Sequence, residues 1–234
     1  DEMRFREWRV LGQQFGLVGE VEYRPDDDRY VLSYELFDVS QQGRILGSRA
    51  SAAPSELRTL AHHVSDRIYE TITGIPGIFS TRLAFVTRTR EEGDVVYRLQ
   101  VSDVDGNRAQ VLLRSSEPIL SPDWSPDRRE LTYVSFEGGR PSIYRQVIKS
   151  GERRRLTSFE GLNSAPAWSP DGDSLLVTLS KDGSADIYRL PLASLEPERL
   201  THHWSINTEA SWAPDGERFA FTSDRSGNPQ VYVQ

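Results

Sequence analysis

Trp168-Ser169-Pro170-Asp171-Gly172 decides the fold, because the chain repeats it. Forty-four residues earlier stands Trp124-Ser125-Pro126-Asp127, with Arg128 in place of the glycine, and 44 residues later Trp212-Ala213-Pro214-Asp215-Gly216. Proline presets φ at the second position of a type I turn and glycine suits the fourth, so each copy reads as a tight turn between two strands. Beyond each turn the apolar residues alternate: Leu131 with Tyr133, Leu175 with Val177 and Leu179, Phe219 with Phe221. That period of two predicts a strand. Fifteen residues after each tryptophan comes Gly139, Gly183 or Gly227, at a hairpin tip that needs positive φ. A third strand follows through Ile143-Tyr144, Ile187-Tyr188 and Val231-Tyr232, and Arg155-Leu156-Thr157 and Arg199-Leu200-Thr201 close the first two copies with a fourth.

Four short strands in roughly 40–45 residues make one blade of a β-propeller. A helical solenoid has a similar period, but proline and glycine interrupt these segments too often for helices, and Tyr, Phe, Val and Thr favour strands. Residues 82–86, 95–98 and 110–113 resemble the second, third and fourth strands of a degenerate earlier copy, so four blades are expected, present or begun. An interior blade has neighbours on both faces, which accounts for apolar residues on both sides of its strands. An open arc would leave apolar faces and strand edges exposed. Because the sequence stops at Gln234 after a third strand, further blades are expected beyond it.

Residues 1–75 follow another pattern. Strands are predicted over 17–23, 30–37 and 44–50, then a helix in which Leu57, Leu60, Ala61, Val64, Ile68 and Ile72 form one apolar stripe ending near Thr73. Ser55 is the expected N-cap, and the helix is expected to pack on all three strands. Thr73-Gly74-Ile75-Pro76-Gly77 then breaks the chain. The expected organisation is a small, partial α/β domain over 1–75 and an all-β propeller over 76–234.

Composition narrows the function. With 35 acidic against 28 basic residues the formal charge is -7, so the chain has no footprint for a phosphate backbone and nucleic acid is excluded as a main partner. No apolar run exceeds the four residues Leu83–Val86, far short of the ~20 that span a bilayer. Cysteine is absent, which removes disulfides, thiolate metal sites and cysteine nucleophiles. The sequence has no Gly-x-Ser-x-Gly elbow, no His-Glu-x-x-His helix and no phosphate-binding loop, so no catalytic residue, metal ligand or cofactor is assigned. His62 and His63 are adjacent on a helix and point about 100° apart, too divergent to share an ion. His202-His203 beside Trp204 reads first as a solvated loop, with a partner-binding aromatic loop as the alternative. The repeated tryptophans read as blade core and the aspartates of the turns as turn formers.

Function in a propeller lies more often in the segments leading into the innermost strands, which line one mouth of the channel. Here these are 116–123, 159–167 and 203–211. Their small, neutral residues let a polypeptide approach closely, so a polypeptide-binding mouth is expected.

The Trp-Ser-Pro-Asp-Gly blade with its closing Leu-Thr resembles the repeat of the TolB family. So do Leu57-Arg58 through Ala61-His62, Ser65-Asp66, Thr73-Gly74-Ile75, Phe79-Ser80-Thr81-Arg82 and Val101-Ser102-Asp103 with Asp105-Gly106. The resemblance implies a six-bladed propeller behind an α/β domain, and a periplasmic component of the Tol-Pal system that supports outer-membrane integrity and cell division. It implies that the mouth binds the lipoprotein Pal, that colicins use the same surface, and that TolA is contacted through an amino-terminal segment this chain lacks. By blade position, the implied Pal-facing residues are Ser121, Leu162, Asn163, Ala165, Thr208 and Glu209. The family also admits a channel cation, for which this sequence offers no ligands by spacing. Two rival readings remain. One is the gating propeller of a prolyl-oligopeptidase-type serine peptidase whose catalytic domain lies elsewhere. The other is a sugar-binding propeller, which needs aromatic platforms at the mouth, and only Trp204 qualifies.

Overall fold

The structure is a computed structural model that describes residues 4–234. It divides into two compact units, one running to Arg82 and taking in Asp103–Asn107, the other made of Leu83–Ser102 and Arg108–Gln234.

In the first unit, helix α1 (Phe5–Val10), which the sequence reading missed, precedes strands β1 (Phe15–Arg24), β2 (Arg29–Asp38) and β3 (Gly43–Ala52) in an antiparallel meander. Leu17 pairs with Leu36, Gly19 with Tyr34 and Val21 with Leu32, so these residues share one face of the sheet. Helix α2 (Leu57–Thr73) lies along β3. It does not cover all three strands as expected: Leu17, Val21 and Tyr23 of β1 remain exposed, because one helix is too narrow for the sheet. Nor is Ser55 its cap. Residues Pro54–Glu56 form a 3₁₀ turn, and Glu56 Oε2 accepts the Ala53 N–H at 3.3 Å. The helix ends as read, at Gly74 with φ 72°, whose N–H bonds to Glu70 O at 2.8 Å. Beyond it the chain folds back on the helix, and Asp66 accepts the N–H of Phe79 at 2.7 Å and of Ser80 at 3.0 Å. Gly77 is required there, since a Cβ on it would lie 2.5 Å from the Asp66 Cα.

The second unit is built of propeller blades. Its sheets are β4 (Arg82–Glu91), β5 (Asp94–Asp103) and β6 (Gln110–Ser115); then β7 (Ile119–Trp124), β8 (Glu130–Ser135), β9 (Ser142–Val147) and β10 (Arg153–Arg155). Next come β11 (Asn163–Trp168), β12 (Ser174–Leu179), β13 (Asp186–Pro191) and β14 (Glu198–Arg199), and finally β15 (Asn207–Trp212), β16 (Phe219–Ser223) and β17 (Gln230–Val233). Each sheet is an antiparallel meander, and β11 lies against both β7 and β15, as innermost strands of successive blades do.

The cores lie between sheets. Val134, Ile143 and Leu156 pack against Trp168, Leu175, Val177 and Leu179 of the next sheet, while Leu176 and Ile187 pack the other way against Ala210, Phe219 and Phe221. All six residues of β12 are buried. Alternate side chains serve opposite neighbours, which is why this strand is apolar on both faces. The Leu-Thr pairs fall just past the short fourth strands: Leu156 N–H bonds to Ile143 O, and Thr157 Oγ1 accepts the Ile143 N–H at 3.2 Å. Thr201 does the same for Ile187 at 3.0 Å.

Candidate functional site

One end of the blades carries the Trp-Ser-Pro-Asp turns. Ser169 Oγ lies 2.5 Å from Asp171 Oδ1 and accepts the Ser174 N–H, while Asp173 N–H bonds to Asp171 Oδ1 at 3.0 Å. Ser125, Asp127, Arg129 and Glu130 repeat the set, and in the last copy Asp215 still accepts the Glu217 N–H while Ala213 has no hydroxyl to offer. The hydroxyls of Ser125 and Ser169 hold the Asp127 and Asp171 carboxyls below the usual range. These are turn formers, as read. Trp168 is buried in the core between sheets, and Trp124 and Trp212 pack against the flanking cores.

The other end differs. The segments expected as loops are in their second halves strands β7, β11 and β15, because a bulge lets the chain bend without leaving the sheet. Pairing shifts between Leu120 and Asp123, between Ser164 and Ala167, and between Thr208 and Ser211. The first of the two bulge residues has positive φ each time: Ser121 at 49°, Ala165 at 46° and Glu209 at 53°. None is glycine, and each left-handed residue costs about 1–2 kcal/mol. Bulges re-aim a strand and leave backbone groups outside the ladder. Equivalent positions on three neighbouring strands therefore interrupt the ladder in the same way.

The residues implied by resemblance divide into two kinds. Ser121 and Glu209 are exposed, and Leu162, Ala165 and Thr208 are partly exposed on or beside the bulged strands. Asn163 is buried: its amide donates to Phe159 O at 2.8 Å, and its carbonyl accepts the Phe159 N–H at 3.1 Å, so it braces the segment from within. Asn207, its counterpart, is also buried and donates to Asp186 Oδ1 at 2.9 Å. Asp186 is fully buried and is held as well by Arg199 at 2.5 Å and Thr201 at 2.7 Å. This network ties β15 to β13, and its members lay far apart in the sequence.

Sequence reading also missed Asp123. Its Oδ2 accepts the Trp168 N–H at 2.8 Å and so links β7 to β11. Burial lifts its carboxyl above the usual range, against the opposing bonds from the Trp168 and Trp124 N–H groups. Ahead of β15, Trp204 is 81% exposed, and its ring lies tilted against that of His203 with centroids 5.1 Å apart.

In the first unit the two helix histidines do point to different partners. His63 Nδ1 meets Ser80 Oγ at 2.9 Å, and His62 Nε2 lies 3.4 Å from Asp105. His62, Asp103 and Asp105 could together face an ion, but the Arg58 guanidinium already bonds both carboxylates and supplies the positive charge. No helix among the described residues is long and apolar enough to cross a membrane.

Comparison with known proteins agrees with this architecture. The model of the TolB β-propeller domain matches residues 69–234, and that of the TolB amino-terminal domain matches residues 1–45. The Tol-Pal system protein TolB of Hahella chejuensis is 52% identical over 165 residues, covering 70% of this chain and 38% of the relative. The crystal structure of TolB from Acinetobacter baumannii superposes with a TM-score of 0.91 at 42% identity, over 99% of this chain and 57% of that one. A puromycin-hydrolysing peptidase of Mycobacterium tuberculosis shares the fold alone, with a TM-score of 0.52 at 16% identity over 93% of this chain and 36% of that one. The chain thus spans less than half the length of the curated relative it matches. Blades set by the tryptophan period, an α/β unit before them and matches to both domain models have one explanation: the chain belongs to the TolB family.

Proposed function

We propose that this chain acts as a non-enzymatic periplasmic binding module of the Tol-Pal system, and that the bulged stretches of β7, β11 and β15, with the segments leading into them, receive the lipoprotein Pal. The observation that carries the reading is the triple bulge. Backbone strain repeated in three non-glycine residues tends to be kept where it is used. The side chains there are serine, alanine and glutamate, so what the three positions share is main-chain geometry. A polypeptide partner can read that through hydrogen bonds, with Leu162 and Thr208 supplying close contact and Asn163 holding its segment in place. Outer-membrane integrity, cell division and capture by colicins follow from the same surface. The serine-peptidase alternative rests only on a shared blade fold.

The test is calorimetric titration with Pal of the unaltered protein and of variants carrying a bulky charge at the rim. Ala165→Arg and Thr208→Arg should each weaken binding more than about tenfold by steric exclusion, with melting temperature unchanged. Affinity equal to that of the unaltered protein would reject this surface.

A further inference from the structure

We propose that Trp204, Ile206 and Arg225 form an anchoring patch that takes an apolar side chain flanked by a carboxylate from the polypeptide partner. This rests on the reading of the rim given above and assigns the chemistry of the group it receives.

The argument comes from comparing two successive copies of one segment. Phe159-Glu160-Gly161-Leu162-Asn163 aligns with His203-Trp204-Ser205-Ile206-Asn207 through the two buried asparagines. The brackets are the same: Leu162 N–H bonds to Ser180 Oγ at 2.8 Å, and Ile206 N–H bonds to Asp224 Oδ1 at 2.8 Å. Phe159 and His203 are both partly buried. The position after each points outward, and the earlier copy fills it with the exposed Glu160. The later copy puts an indole there, 81% exposed, and two residues on Ile206 is 56% exposed. No core contact requires either side chain to be apolar.

The segment that displays them is fixed without their help. Ser205 N–H bonds to His203 Nδ1 at 3.2 Å, Ser205 Oγ meets the buried Ser223 Oγ at 3.1 Å, and Asn207 is locked onto Asp186. A large aromatic on a pre-ordered segment loses little entropy on binding, which is the physical basis of an interface hot spot.

Charge supplies the second half. In three blades a cation lies over a tyrosine ring: Arg153 over Tyr144 at 4.6 Å, Lys181 over Tyr188 at 5.2 Å and Arg225 over Tyr232 at 4.6 Å. Arg153 is neutralised by Glu137 at 3.0 Å and Lys181 by Asp182 at 2.8 Å. At the position of Asp182 the last copy has Ser226, so Arg225 forms no ion pair among the described residues. It donates to Ser223 Oγ at 3.0 Å and Asn207 Oδ1 at 3.1 Å. Asp224, next to it in sequence, is engaged with the Ile206 N–H. A half-buried guanidinium bonded to Asn207, three residues along the chain from an exposed indole, is complementary to an acidic group near an apolar one.

The experiment titrates Pal into the unaltered protein and into Trp204→Glu, Trp204→Phe and Arg225→Gln at two salt concentrations, with thermal melting as the folding control. Trp204→Glu restores the residue type of the preceding copy, so folding is not at stake. Binding should fall at least tenfold for Trp204→Glu, less than threefold for Trp204→Phe, and lose part of its salt dependence in Arg225→Gln. Unchanged affinity in Trp204→Glu would overturn the anchor while leaving the rim intact. If the unaltered protein does not bind Pal, the Tol-Pal reading fails instead. The anchor is then judged by acrylamide quenching of Trp204, isolated by difference from Trp204→Phe, with a Leu-Trp peptide flanked by glutamates. Protection by that peptide and not by its lysine counterpart sustains the anchor. No protection, or protection by phospholipid vesicles alone, overturns it.

Discussion

The turns and the bulged innermost strands of the blades repeat in different ways. At the turn end the chemistry recurs: tryptophan, serine or alanine, proline and aspartate, with the same bonds onto the aspartate. In the middle of the innermost strands the geometry recurs while the chemistry drifts, since the bulge residues are Ser121, Ala165 and Glu209 at nearly one φ. Identical residues mark what the architecture needs from every blade. Identical backbone with different side chains marks a surface that each blade adapts separately. Each of the following changes sharpens or breaks that contrast.

The largest effect is expected at the turn end. Trp168→Ala removes the largest side chain from the core between two sheets and should cost about 3–5 kcal/mol in urea unfolding. A loss below about 1 kcal/mol would mean that this tryptophan does not join the blades. Ser169→Ala deletes a hydroxyl that serves both Asp171 and Ser174 and should cost about 1–2 kcal/mol. Ala213→Ser should recover part of that amount in the copy that lacks the hydroxyl, so equal stability of Ala213→Ser and the unaltered protein would show that the turns are not equivalent.

Arg128 occupies the left-handed turn position at φ 61°, where Gly172 and Gly216 sit at 78° and 71°. Relief of strain exceeds the entropy that glycine adds to the unfolded chain, so Arg128→Gly should raise stability by about 0.5–1 kcal/mol. The smallest effect concerns pH. Burial raises the Asp123 carboxyl above its unfolded value, so the neutral form is favoured in the folded protein and ionisation weakens it as pH rises from about 4. Asp123→Asn keeps an acceptor for the Trp168 N–H and should equal or exceed the unaltered protein in melting temperature at pH 7. The difference should shrink at pH 3, and a larger advantage at pH 3 than at pH 7 would contradict this sign.

Much of this was legible before any coordinates. The 44-residue period fixed strand count, turn positions and the place of the repeated tryptophans in or against the blade cores, because each blade repeats one local solution to the same packing problem. The bulges were not legible: Ser121, Ala165 and Glu209 carry no glycine signal, and their left-handed backbone is imposed by neighbouring strands. Nor was the bracing role of Asn163, whose partners only the folded segment brings within reach. Helix α1 escaped because six residues hold too few turns to show a period. The outward place of Trp204 could have been inferred by aligning it with Glu160, since a carboxylate in the preceding copy marks a solvent-facing position.

Hydrogen–deuterium exchange with and without Pal tests the central claim most directly, because it reads the turns and the bulged strands in one experiment. Protection is predicted in residues 119–123, 161–165 and 203–210, with the turns at 125–130 and 169–174 unchanged. Protection of those turns, with the bulged segments exchanging as in the free protein, would contradict it.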